Sequence, residues 1–288
     1  MPINLPLISV NGVLDAAISP LDRGFAYGDG VFETCRYHKG SVPLWRYHRE
    51  RLLQSAERLK IPLNEVQLLQ HMDELIARAD GVDDAVLKIT VTRGVGGRGY
   101  RLPEVVLPTY CLGIFAGNPL QTEQFDQGVS VRLCDLRLSL NPSLAGMKHL
   151  NRLEHILARA EWGGEYAEGL LLDTQGRVIE ATVSNIFVVK NSQLYTPDLS
   201  HAGVAGVMRR AIIEQLAPAV KLDVNIIDME LDFLLSADEI FLCNSVYGIW
   251  PVNNIVDDRQ KNPTQNIYSQ HQVAQVLQRQ LIQFFSEK

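Results

Sequence analysis

The stretch AGMKHLNRLEHILARA, residues 145–160, decides how the rest of the chain is read. Lys148 follows Ala145 and Gly146, two residues with almost no side chain. It precedes HLNRLEHILARA, whose apolar residues recur at helical spacing. The pattern predicts a tight turn that leaves one uncrowded amine at the start of an amphipathic helix. A lysine becomes a nucleophile or a base when burial lowers its pKa. The other lysines stand in different settings. Lys39 and Lys190 border turns, Lys60 stands before Pro62, Lys88 faces out from an alternating strand, and Lys221, Lys261 and Lys288 fall in loop or tail. An ordinary surface lysine at a helix start is the competing reading.

Further on, GRVIEATVSNIFVV (176–189) is an apolar strand run interrupted by Glu180 and followed by Ser184-Asn185. A carboxylate in such a run needs a partner, because an unpaired buried charge is costly. A protonated ring nitrogen of a cofactor would serve, and so would an arginine.

Working outward, LISVNGVLDA (7–16) reads as a hairpin about Asn11-Gly12, and GVFETCRYHKGSVPLW (30–45) repeats the idea about Lys39-Gly40. Helices are predicted over RYHRERLLQSAERLKI (46–61) and, with Asn64 as N-cap, over LNEVQLLQHMDELIARADG (63–81). AVLKITVTRG and TYCLGIFAG read as strands. The polar stretch between Gly117 and Gly128 reads as a linker. Beyond it come a strand at 129–139, successive strands across 169–197 with turns at Gln175-Gly176 and Asn191-Ser192, a helix at 204–219, an apolar strand at 237–252 and a terminal helix. Mixed order predicts an α+β fold rather than regular βαβ winding. The expected division is a smaller α+β domain over 1–117, a linker over 118–127, and a larger domain over 128–288 that carries Lys148.

RGVGGRG (93–99) fits G-x-G-x-x-G after a strand, but YRLPEVVLP follows it. A dinucleotide site needs a helix there to receive the pyrophosphate, so the run reads as a glycine-rich loop presenting Arg98. The net charge of −6 argues against a nucleic-acid partner, though local arginines can still bind an anionic small molecule. Cys35, Cys111, Cys134 and Cys243 lack metal-ligand spacing, so no metal is expected. No signal peptide and no run near the roughly 18 apolar residues of a membrane span is visible, which makes the cytoplasm the expected place.

KHLNRLEHILARAEWGGEYAEGLLLDTQGRVIEATVSNIFVV (148–189), with DRGFAYGDGVFET (22–34) and CNSVYGIWPV (243–252), resembles the fold-type IV pyridoxal phosphate enzymes, the class IV aminotransferases. The resemblance runs nearly the whole chain. It implies the two-domain α+β architecture of D-amino-acid aminotransferases, pyridoxal 5′-phosphate as cofactor and a homodimer. It implies that Lys148 links covalently to the cofactor and that Glu180 holds the pyridine nitrogen. Arg51 matches the phosphate arginine of the family, with the N–H groups of Val207 and Met208 and the hydroxyl of Ser245 completing the phosphate cup.

Within the family, Thr34 in GDGVFET, together with TRGVGGRGY and LAGMKHLNRLE, resembles the lyase members. That implies conversion of 4-amino-4-deoxychorismate to 4-aminobenzoate and pyruvate. Thr34 or Lys148 would serve the departing group's proton, Arg98 would clamp a substrate carboxylate, and Tyr100 would line the pocket. The alternative on the same scaffold is amino transfer with D- or branched-chain amino acids. A non-catalytic binding protein is disfavoured by the joint presence of Lys148, Glu180 and Arg51.

Overall fold

A computed structural model describes residues 5–117, 120, 122–258 and 263–286. Residues 118, 119 and 121 of the expected linker, as well as Lys261 and Lys288, lie outside the described residues. The chain divides into two compact units, Met1–Pro119 with Met147–Asn151, and Leu120–Gly146 with Arg152–Lys288.

The first unit contains β1 (Leu7–Val10), β2 (Val13–Leu14), α1 (Arg23–Tyr27), β3 (Gly30–His38), α2 (Trp45–Arg58), α3 (Glu65–Ala77), β4 (Asp84–Thr92) and β5 (Thr109–Ala116). The strands form one antiparallel sheet in the order β2-β1-β5-β4-β3. The first turn uses the residues its geometry demands, with Asn11 at φ 49° and Gly12 at φ 81°. Period-two alternation buries Ala85, Leu87, Ile89 and Val91 of β4 and leaves Lys88 exposed. α2 and α3 bring Leu52, Ala56, Leu68, Met72 and Leu75 into the same core as Val31, Cys35 and Tyr37 of β3. Asn64 caps α3 by accepting the Gln67 N–H at 3.2 Å. The turn at Lys39-Gly40 forms, but only Ser41 pairs back, with His38, before the chain enters α2. The expected second hairpin is therefore reduced to one bridge.

The second unit contains α4 (Glu123–Gln127), β6 (Val129–Leu138), α5 (Leu153–Arg159), β7 (Glu168–Asp173), β8 (Arg177–Ala181), β9 (Asn185–Lys190), β10 (Gln193–Pro197), α6 (Val207–Ala211), a π-helical turn (Ile212–Leu216), α7 (Ala217–Ala219), β11 (Val224–Ile227), β12 (Met229–Glu230), α8 (Leu231–Leu235), β13 (Glu239–Asn244), β14 (Gly248–Asp257), β15 (Thr264–Ile267) and α9 (Gln272–Ser286). Its mixed sheet runs β11-β10-β9-β13-β14-β6-β7-β8-β12, with β15 on β14. β7 is buried at every position, as befits a central strand. The π turn has a local cause. Pro218 lacks an N–H and its ring crowds the carbonyl four residues back, and the Ala217 N–H reaches Ile212 O instead. Buried Glu239 accepts the N–H groups of Val273 at 3.0 Å and Ala274 at 2.6 Å, which anchors the start of α9.

Three sequence expectations change here. α5 begins at Leu153, so Lys148 is not on a helix. Residues 148–150 run extended along β3, with Phe32 N–H donating to Lys148 O at 2.9 Å and Leu150 N–H to Gly30 O at 3.0 Å. That pairing groups the lysine segment with the first unit, not with the second domain as expected. Residues 123–127, read as linker, form α4 and bury Phe125. RGVGGRG leads to no helix, as its prolines imply. Gly94, at φ 83°, lies against a carbonyl, and a Cβ there would stand 1.8 Å from Leu107 O. Among the described residues no helix is long and apolar enough to cross a membrane.

Candidate active site

The first unit presents its chemistry on β3. Strand alternation puts Phe32 and Thr34 on one face and Val31, Glu33 and Cys35 on the other. His149 pairs antiparallel with Val31, so Lys148 stands beside Phe32 on the Thr34 face. The half-buried Lys148 amine lies 4.4 Å from the Phe32 ring centroid.

Glu33 points the other way, toward α2, with 1% exposure beside the apolar core. His48 and Arg51, three residues apart on one side of α2, both reach it. Arg51 Nε donates to Glu33 Oε1 at 2.8 Å and Arg51 Nη2 donates to Oε2. His48 Nδ1 donates to Oε2 at 2.6 Å. Burial pushes the Glu33 carboxyl up, but the charge of Arg51, followed by the hydrogen bond and charge of His48, outweighs it and brings the pKa to about 2. Burial, with the charges of Arg51 and Lys148, holds the His48 ring below its ordinary value against the pull of Glu33.

Arg98 and Tyr100 lie on a different element, the exposed loop between β4 and β5. The loop is tied to α1. Arg23 Nη1 donates to Gly99 O at 3.0 Å, Gly99 N–H donates to Tyr27 Oη at 3.1 Å, and Tyr100 meets Tyr27 edge-on. Tyr100 is 86% exposed. Within this unit the structure brings Lys148 and Thr34 to one face and leaves Arg98 and Tyr100 on the loop.

The second unit carries Glu180 on β8, buried as the sequence predicts. Its two oxygens take different donors, His155 Nε2 at 2.9 Å on Oε1 and the Val204 N–H at 2.9 Å on Oε2. Gly203, at φ 82°, leaves space behind it, since a Cβ there would stand 3.3 Å from Glu180 Cδ. Asn185 clamps the same turn. Its Nδ2 donates to Val204 O at 2.9 Å, and a Cβ on Gly206 would stand 1.9 Å from its Oδ1. Gly206 then caps α6 without a side-chain acceptor. The first N–H groups of the helix, on Val207 and Met208, have no intrahelical partner. Ser245 sits half-buried in the β13–β14 turn, which Asn244 closes by accepting the Val246 and Tyr247 N–H groups at 2.9 and 3.0 Å.

Sequence reasoning passed over Glu33, His48, His155 and Glu168. Glu33 was signalled by an acid on the buried side of an alternating strand. Glu168 opens β7 fully buried, with Thr182, Ser184 and Tyr247 hydroxyls and the Val183 N–H on its carboxylate. Burial raises its pKa and these hydrogen bonds only partly oppose that.

Unit by unit, the donors suit the cofactor that the resemblance implies. An amine suits an aldehyde. A guanidinium, helix-start N–H groups and a hydroxyl suit a phosphate. A buried, doubly anchored carboxylate suits a protonated ring nitrogen.

Comparison with known proteins agrees in kind. The amino-transferase class IV family matches residues 30–255. The chain is 38% identical over 247 residues to an aminodeoxychorismate lyase of Vibrio harveyi, covering 85% of this chain and 90% of that one. It is 36% identical over 248 residues to a putative branched-chain-amino-acid aminotransferase of Methanocaldococcus jannaschii, covering 84% and 83%. The crystal structure of 4-amino-4-deoxychorismate lyase from Pseudomonas aeruginosa superposes with a TM-score of 0.86 and 42% identity over 96% of this chain and 98% of that one.

Proposed function

The chain belongs to the amino-transferase class IV family, and within it we propose a pyridoxal phosphate-dependent lyase that converts 4-amino-4-deoxychorismate to 4-aminobenzoate and pyruvate. The observation that carries this reading is the 0.86 TM-score and 42% identity to the Pseudomonas aeruginosa lyase across almost all of both chains. The Vibrio harveyi relative supports the same choice.

When bound, the cofactor supplies an aldehyde that captures the substrate amine and a ring that accepts the electrons released at the adjoining carbon. Lys148, whose amine suits an aldehyde, would hold the cofactor and be freed when the substrate amine takes its place. The freed amine of Lys148 then removes the proton from the ring carbon bearing the nitrogen. The carbon–oxygen bond to the enolpyruvyl group breaks, the ring becomes aromatic, and the departing group gains a proton to leave as pyruvate. Thr34, on the same face of β3 as Lys148, places that proton directly or through water. Glu180 would hold the pyridine nitrogen and favour its protonated form. Arg51 in the first unit would suit the phosphate, as would the N–H groups of Val207 and Met208 and the hydroxyl of Ser245 in the second. Glu33 fixes two of the nitrogens of Arg51, so the guanidinium is oriented before phosphate arrives. Arg98 and Tyr100 meet the substrate from the loop, Arg98 through a carboxylate.

The working form is a cytoplasmic homodimer. Leu21, Phe25, Val95, Val105 and Leu107, exposed at α1 and on the β4–β5 loop, are apolar side chains that a second copy would cover. The four cysteines are free, in keeping with a reducing compartment.

Amino transfer with D- or branched-chain amino acids is the second reading, favoured by the 36% identity to the Methanocaldococcus jannaschii protein. Incubation with 4-amino-4-deoxychorismate and no keto acid separates the two. Accumulating 4-aminobenzoate supports the lyase, and strict dependence on an added keto acid supports the aminotransferase.

A further inference from the structure

We infer that His155 is a positioning residue for Glu180, fixing its carboxylate so that it favours a ligand with a protonated ring nitrogen over one without. This rests on the reading of Glu180 given above. An ionised carboxylate only accepts hydrogen bonds and offers about four lone-pair directions. Here one donor sits on each oxygen, His155 Nε2 at 2.9 Å from Oε1 and the Val204 N–H at 2.9 Å from Oε2. A donor on each oxygen stops rotation about the last side-chain bond, and the remaining lone pairs are left in one fixed plane. Val204 contributes backbone, which the chain supplies whatever its side chain. His155 contributes a side chain chosen for the task.

The ring is committed to this contact. The Glu180 bond is made by Nε2, and the other ring nitrogen, Nδ1, is buried with no partner among the described residues. The side chain is 14% exposed and that of Glu180 4%, so water competes weakly for either. Removing His155 leaves one oxygen unanchored and lets the carboxylate turn toward other donors. One short sequence, AGMKHLNRLEHILARA, thus holds both Lys148 and the anchor of Glu180.

The test compares the affinity of apoprotein for pyridoxal 5′-phosphate and for its analogue with CH in place of the ring nitrogen. The native protein should prefer the nitrogen compound. His155→Met should lose that preference by roughly tenfold, the size of one hydrogen bond to a charged group. His155→Gln, whose amide places a donor near the position of Nε2, should keep it. A role limited to tying α5 to β8 would weaken both ligands alike and leave the ratio unchanged, and that result overturns the inference. A native protein without preference overturns the reading of Glu180 as well. Ala158 is the one fully buried residue of α5, so an apolar residue at 155 should fold. His155→Phe, ring-shaped and donor-free, carries the same prediction if the methionine variant does not.

Discussion

Glu33 in the first unit and Glu168 in the second are both 1% exposed, yet their carboxyl groups move in opposite directions. Burial is the largest influence on each and pushes both up. Around Glu33 two side chains of α2 bring positive charge, and the carboxyl ends at about 2. Around Glu168 the partners are hydroxyls and one N–H, and the carboxyl stays above its usual range. Burial therefore does not decide which way the pKa of an acid moves; the charge of its partners does. The first region is organised by ion pairs beside the amine proposed to do chemistry. The second is organised by neutral hydrogen bonds, with Ser184 and Tyr247 bonded to each other as well as to Glu168.

The contrast can be broken in order of expected effect. Lys148→Ala should reduce turnover on the order of 10⁴-fold, because nucleophile and base are one group. Its thermal midpoint should change far less, because the hydrogen bonds that hold Glu33 come from His48 and Arg51. Steady-state rates beside a melting curve test this.

Glu33→Gln should destabilise by about 3 kcal/mol, since it removes the counter-ion of a buried cation. Urea unfolding at neutral pH reads it. The acid limb gives the sign. The Glu33 pKa is depressed on folding from 4.5 to about 2. Its contribution is therefore present above the unfolded value and lost as pH falls from about 4.5 toward 2. In Glu33→Gln that part of the acid limb should flatten.

Thr34→Ala should slow 4-aminobenzoate formation by about 10²-fold with normal cofactor loading, and slow any amino transfer less. Equal losses in both reactions would mean general damage to that face. Arg51→Ala should weaken pyridoxal phosphate at least about tenfold by equilibrium titration, yet leave turnover at saturating cofactor within a few-fold. Glu168→Gln should change stability least, by about 1 kcal/mol at neutral pH, because its partners are uncharged. A loss as large as that of Glu33→Gln would erase the distinction between the two regions.

Much of this was legible in the residues. Asn11-Gly12, Gln175-Gly176 and Asn191-Ser192 announce their turns because few residues tolerate positive φ. Alternation in AVLKITV fixes which face of β4 is buried. Lys148 and Glu180 are visible because an uncrowded amine and an acid within an apolar run are unusual locally. The extended course of residues 148–150 is not visible. HLNRLEHILARA has helical spacing from its first residue, and only the hydrogen bonds to Gly30 and Phe32, far away in sequence, hold its beginning straight. The same limit hid His48 and His155. Each sits on an ordinary amphipathic helix, and nothing nearby in sequence reveals the carboxylate it meets.

The most direct measurement counts both products over many turnovers, with catalytic enzyme, 4-amino-4-deoxychorismate and no amino acceptor. The lyase account predicts 4-aminobenzoate and pyruvate in a one-to-one ratio, rising linearly far beyond the number of active sites. A reaction that stops after one equivalent per site and resumes only when a keto acid is added would contradict it.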